Sequence, residues 1–253
     1  MKKLKLTNKE YNEAEGIRIT DIRRILENPY CYAQGVQSES TKAFDLGSLT
    51  HALLLEPEIV SKDFETYEGG LGVTKRIAEI ESRGKIAIAE KDFERASKAV
   101  EALKNSEAYN LFAGCENEIS CFNEFLGFTL KCKIDALGND YILDFKTTSL
   151  RNGASPDNFI KHCANFGYYI QAAHYMLITG IKKFLFVVLE LEPPYMVGLY
   201  CLDNPSLDFG LDEVKRALEI YKNLDKFKNI YLDTKDFTKV MTLSLPNWVY
   251  YKA

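Results

Sequence analysis

The sequence lacks a hydrophobic run long enough to cross a membrane. Its longest, Phe184 to Leu189, falls far short of the ~20 apolar residues a spanning helix needs. The charged opening, Met1 to Gly16, contains no apolar h-region, so a cytoplasmic protein without a membrane partner is the expectation. No CxxC pair occurs among the six cysteines (Cys31, Cys115, Cys121, Cys132, Cys163 and Cys201), which read as reduced thiols rather than a crosslinked scaffold. Charge of one sign is not in excess: 32 Lys and Arg against 36 Asp and Glu leave a net charge of -4. That balance excludes a general nucleic-acid coat, but it permits a local basic groove beside an acidic site. Internal repeats, low-complexity tracts and linkers are also missing, so the 253 residues read as one domain spanning 1–253.

What is present is an ordinary globular mixture, 46% hydrophobic and 27% charged, which excludes disorder. Helical spacing of apolar residues predicts helices over Thr20–Asn28, Asp45–Glu56 and Glu90–Asn105, the first capped by its Thr/Asp pair. The glycine-bearing stretch Thr66–Thr74 has no periodicity and reads as a loop. After Gly114 the period changes from 3.6 to 2. Strands are predicted over Glu118–Phe125, Phe128–Ala136 and Tyr141–Lys146, an antiparallel meander turning at Gly138-Asn139-Asp140. One long helix, Pro156–Thr179, follows, with Phe159, Cys163, Phe166, Ile170, Ala173 and Leu177 on its apolar stripe. Two more strands, Lys183–Leu191 and Met196–Leu202, and a helix, Leu207–Leu224, complete an α/β pattern.

Chemistry concentrates at Asp135 and at Asp144-Phe145-Lys146-Thr147-Thr148. Side chains alternate along a strand, so Asp144 and Lys146 share one face while Leu143 and Phe145 take the other. The hairpin through 138–140 can fold Asp135 back beside Asp144. Two converging carboxylates repel unless a cation lies between them, and hard oxygen ligands suit Mg²⁺ or Mn²⁺. Lys146 could then orient water or stabilise phosphate charge. The alternative is an exposed ion pair on a surface hairpin. Gly47-xxx-His51 sets a glycine one turn before a histidine, leaving space at the imidazole for a metal; a packed core histidine is the other reading. Tyr168, Gln171 and Tyr175 recur on one helix side, opposite the apolar stripe, as a polar and aromatic face suited to phosphate or a stacked base, or simply to solvent.

As a set, Gly47-xxx-His51 with Ala52 to Pro57, then Glu118, Asp135, Asp144 to Thr148 and Gln171-Ala172-Ala173-His174-Tyr175, resembles the PD-(D/E)xK nuclease superfamily. The branch it is most similar to is the exonuclease VIII-like (RecE-type) nucleases of phages and prophages. The resemblance implies a restriction-endonuclease-like core, a mixed β-sheet with an antiparallel meander flanked by helices. It implies a Mg²⁺- or Mn²⁺-dependent deoxyribonuclease in which His51, Asp135, Asp144 and the backbone carbonyl of Phe145 are metal ligands and Lys146 is the catalytic lysine. Glu118 matches the acidic residue ahead of the first core strand, with Glu116 as its competitor two residues away. Gln171 and Tyr175 match the helix motif near DNA, and Tyr168 lies one turn earlier.

The activity so implied is 5′ to 3′ digestion of one strand at double-stranded DNA ends, leaving single-stranded tails for recombination. A single-strand annealing partner and a homo-oligomer accompany it. A structure-specific endonuclease on the same core and a non-cleaving DNA-end-binding module are the rivals. An iron–sulfur cluster is excluded because no cysteine follows Cys201, and Gly69 to Gly72 lacks the pattern of a nucleotide-binding P-loop. Lys75, Arg76, Arg83 and Lys85 form the densest basic stretch before the core; Lys75 and Arg76 are candidate DNA contacts, a solvated helix face being the alternative.

Overall fold

Strand β1 (Lys2–Leu4) and helix α1 (Asn8–Glu13) open the chain, followed by α2 (Ile19–Glu27), α3 (Pro29–Ala33), α4 (Lys42–Leu55) and the short α5 (Val60–Asp63). Next come β2 (Phe64–Tyr67), α6 (Val73–Ser82), β3 (Ile86–Ala89) and α7 (Glu90–Lys104). The meander is β4 (Glu116–Phe125), β5 (Phe128–Leu137) and β6 (Tyr141–Thr148); α8 (Pro156–Asn165) and α9 (Tyr168–Thr179) lead to β7 (Lys183–Glu190), β8 (Val197–Tyr200) and α10 (Asn204–Lys222). These elements come from a computed structural model, which describes residues 1–36, 42–226 and 244.

Six strands form the main sheet in the order β1-β4-β5-β6-β7-β8, with only the β6–β7 pair parallel; β2 and β3 make a separate parallel pair. A parallel pair needs a crossover, which α8 and α9 supply between β6 and β7. Covered on both faces, β7 is almost continuously apolar, and β6 is buried from Ile142 to Phe145 although Asp144 lies among these residues. Ile142, Phe186 and Val188 meet Ile22 and Ile25 of α2, Phe159 of α8, Ile170 and Ile178 of α9 and Val214 of α10. On the opposite face Leu143, Phe145, Val187 and Leu189 meet Leu46 and Leu49 of α4 and Ala96, Val100 and Leu103 of α7. The result is a mixed sheet between two helical layers.

Several expectations need correction. The segment 156–179 is two helices, because Gly167 adopts a left-handed conformation (φ 64°) that ends one axis and starts another. That break takes Phe166 off the apolar stripe and leaves it 52% exposed. Part of the expected loop 66–74 is ordered: Thr66 and Tyr67 belong to β2, paired with Ile88 and Ala89, and Val73 begins α6. At α2 the N-cap is Arg18, and Asp21 reaches back to accept its backbone N–H at 3.1 Å, so the Thr20/Asp21 pair lies inside the helix. Asn28 both ends α2 and caps α3, accepting the Cys31 N–H.

Candidate metal centre

The centre lies where β5 and β6 part. These strands pair only at Ala136↔Leu143 and Leu137↔Ile142. Continued by one step, that register would place Asp135 opposite Asp144, but backbone pairing stops there and a side chain fills the gap. Asp135 Oδ2 accepts the Phe145 N–H at 2.6 Å. The β4–β5 ladder is interrupted at the same level, pairing Asn117↔Ala136 and Ile119↔Ile134 and skipping Glu118. Glu118 has φ 56°, a left-handed conformation costing about 1–3 kcal/mol in a non-glycine residue, which persists only where surrounding structure enforces it. Both irregularities point side chains into one place.

Among the described residues, His51, Glu118 and Asp135 present ligand atoms that all lie within 4.8 Å of one another. His51 arrives from α4, with Nδ1 3.9 Å from Asp135 Oδ2 and its ring 4.8 Å from that of Phe145. Burial pulls the His51 pKa below its ordinary value, with Glu118 opposing, which leaves the neutral imidazole a metal requires. Burial and then the neighbouring Asp144 carboxylate push Asp135 up to about 7. Glu118 is raised by burial and then by Asp135. Carboxylates held this way gain from a dication, and one imidazole nitrogen with two carboxylate oxygens is a donor set that fits a divalent metal.

Beside this cluster stands a cation. Lys146 Nζ lies 2.6 Å from Asp144 Oδ2, the two side chains being 18% and 3% exposed. Burial alone would lower the Lys146 pKa, but Asp144 and then Asp135 outweigh it and raise it, so the lysine is charged. Asp144 Oδ1 accepts from Gln171 Nε2 at 2.7 Å. The Lys146 ammonium sits 4.7 Å from the centroid of the Tyr168 ring, a cation–π contact.

The structure thus brings together His51, Glu118 and Asp135, with Asp144 and Lys146 alongside. As arranged, Asp144 is bonded to Gln171 and Lys146 rather than sharing the three-residue cluster. Glu116 is excluded as the alternative to Glu118: it forms an exposed ion pair with Lys3 at 2.5 Å, outside the centre. Gln171 and Tyr175 do not form an open polar face, being 7% exposed each on a helix buried from Ile170 to Tyr175. Gln171 is the polar group holding Asp144, whereas Tyr175 packs in the core, its hydroxyl pKa driven well up by burial. Lys75 pairs with Glu79 at 3.9 Å and Arg76 donates to the carbonyls of Gly69 and Leu71, both on α6 against the small sheet. A Cβ on Gly47 would stand in ordinary van der Waals contact with Thr147 Oγ1 of β6, at 3.5 Å, so this position of α4 faces the sheet.

Sequence reasoning missed Lys133, whose Nζ lies 2.6 Å from Glu118 Oε2 with both side chains largely buried. The available signal was its spacing: Lys133 and Asp135 are two apart on β5, as Asp144 and Lys146 are on β6.

Residues 31–229 match the family model of a PDDEXK-like domain of unknown function (DUF3799). The chain belongs to this family. Structures similar to this PDDEXK-like domain include a candidate exonuclease from Eubacterium rectale, 15% identical, with 98% of this chain and 99% of that one covered and a TM-score of 0.62. Another is a phage-related exonuclease from Haemophilus somnus 129PT, 14% identical over 86% of this chain and 98% of that one, with a TM-score of 0.40. No curated protein matches the sequence. The family and the Eubacterium structure agree on a PD-(D/E)xK fold.

Proposed function

We propose that this PDDEXK-like domain is a divalent-metal-dependent deoxyribonuclease acting at the ends of linear duplex DNA. One observation carries the reading: the His51, Glu118 and Asp135 cluster adjoins a buried, charge-paired Lys146 at the point where β5 and β6 separate. An exposed surface ion pair would not explain the burial, the interrupted ladders or the strained Glu118. A Mg²⁺ or Mn²⁺ ion bound by this cluster would supply Lewis acidity toward a phosphodiester and a lowered pKa for water. Asp144 and the Phe145 carbonyl border the same splay, and we retain them in the proposed ligand set.

The chain's own residues supply the rest. Lys146 holds positive charge where negative charge develops on the phosphate, pre-aimed by Asp144 and by the Tyr168 ring. Gln171 fixes Asp144 in turn. The name of the Eubacterium relative supports end-directed rather than internal cleavage. Digestion from 5′ to 3′, a single-stranded product used in recombination, an annealing-protein partner and a homo-oligomer extend the reading on resemblance to the RecE-type branch.

End-labelled linear duplex and covalently closed circular DNA, each with and without Mg²⁺ or Mn²⁺, form the test. Release of label from the linear substrate only, and only with metal, is the expected result. Cutting of the closed circle would favour the endonuclease, and binding without cutting the end-binding module. Lys146→Met should slow cleavage at least ~100-fold, the loss typical of a preorganised charge. A rate near wild type would remove Lys146 from the site.

A further inference from the structure

An aromatic path leads away from Lys146. The Tyr168 ring contacts Phe166, with centroids 5.8 Å apart, and Phe166 in turn contacts His162 at 5.7 Å. Phe166 is 52% exposed, although it is a large apolar side chain. Its main chain is fixed, since Arg23 Nη1 of α2 donates to the Phe166 carbonyl at 2.6 Å and the left-handed Gly167 follows. Arg23 and Arg24 then line a cleft of about 660 Å³ together with Phe166 and Tyr169. Tyr169 also stacks on Phe209, with centroids 5.5 Å apart and planes 16° from parallel, and Phe209 is 57% exposed. Glu27 and Glu213 also border the cleft, the Glu213 carboxylate being engaged by Arg216 on the same helix.

We propose that the exposed ring of Phe166, with Arg23 and Arg24 in the cleft it lines, forms a stacking surface for the unpaired strand of a nucleic acid whose end occupies the Lys146 site. The argument is chemical. An exposed aromatic ring beside guanidinium groups matches a base and its neighbouring phosphates, and base stacking on such a ring is tolerant of sequence. Paired bases inside a duplex hide their faces, so the occupant is single-stranded. Continuity through Tyr168 to Lys146 places the surface beside the reacting end. The inference deepens the nuclease reading and rests on it for the direction of the strand.

The experiment measures anisotropy of a labelled oligothymidylate of ~12 nucleotides, and of an abasic strand of equal length, in chelator so that nothing is cut. Phe166→Ala should weaken oligothymidylate binding about five- to tenfold and leave the abasic strand unchanged, with Phe166→Tyr restoring affinity. A Phe166→Trp protein should lose indole fluorescence on adding oligothymidylate and keep it with the abasic strand. Wild-type affinity in Phe166→Ala, an equal loss on both strands, no wild-type binding of oligothymidylate, or a loss confined to blunt duplex would each overturn the surface. So would light scattering in which Phe166→Ala dissolves an oligomer while strand binding stays unchanged, which would assign the patch to self-association. Cleavage of linear duplex with Mn²⁺ is scored separately. Phe166-dependent binding without cleavage would overturn only the nuclease reading, and cleavage with Phe166-independent binding only the surface.

Discussion

At the scale of single residues, Asp135 carries the most informative strain. Its carboxyl accepts a backbone N–H that would favour ionisation, yet burial and Asp144 prevail and hold it near 7. The folded protein therefore keeps a proton that the unfolded chain releases near pH 3.9. A raised carboxyl pKa contributes stability that is complete below the unfolded value and is lost as pH rises through the folded one. For metal-free protein the expected loss between about pH 4 and 7 is at most about 4 kcal/mol. Asp135→Asn should flatten that part of the melting-temperature profile, whereas added Mn²⁺ should raise wild-type melting temperature most at the upper end, where the ligand is ionised. A profile with the same slope in wild type and Asp135→Asn would show that the carboxyl is not the buried acid described here.

At the scale of elements, the decisive device is the break between α8 and α9. Gly167 takes a conformation that L-residues adopt at a cost of about 1–2 kcal/mol, and a Cβ there would stand 3.2 Å from Arg23 Cδ. Gly167→Ala should therefore destabilise the protein by about 1–2 kcal/mol, although alanine is the better helix former. Denaturant melts would register this as a lower midpoint with an unchanged slope. An unchanged or raised midpoint would mean that the two helices do not depend on this residue. The same break sets Tyr168 over Lys146 while Phe166 turns outward, so a local backbone feature controls both the lysine's surroundings and the exposed ring.

At the scale of the whole molecule, the proposed binding of DNA by a chain of net charge -4 would have to rest on a local patch rather than a general field. Ca²⁺, which fills oxygen sites with looser geometry, should support DNA binding without hydrolysis. Affinity should fall steeply as salt is raised, because phosphate contacts release counterions. Titration of labelled duplex in Ca²⁺ over a salt series checks both. Binding indifferent to salt would point away from a phosphate-tracking enzyme. Among the described residues no helix is long and apolar enough to cross a membrane, in keeping with the short apolar runs of the sequence.

The sequence by itself determined the strand alternation that puts Asp144 and Lys146 on one face and Phe145 on the other, because a period of two is a local property. It determined the meander, the helices at α4, α7 and α10 to within a few residues, and the placing of Asp135 and Asp144 on neighbouring strands. Strands β2 and β3 escaped because four residues each are too few to show a period, whereas α6 carried one, Val73, Ile77 and Ile80 at helical spacing, that went unread. Tertiary structure alone decided which carboxylates converge. The choice of Glu118 over Glu116 depends on a backbone angle, and the place of Gln171 against Asp144 depends on how α9 lies on the sheet. The exposure of Phe166 was likewise undecidable from spacing, since Phe166 is the C-cap at which α8 ends before the left-handed Gly167, and a helical stripe assumes an unbroken axis.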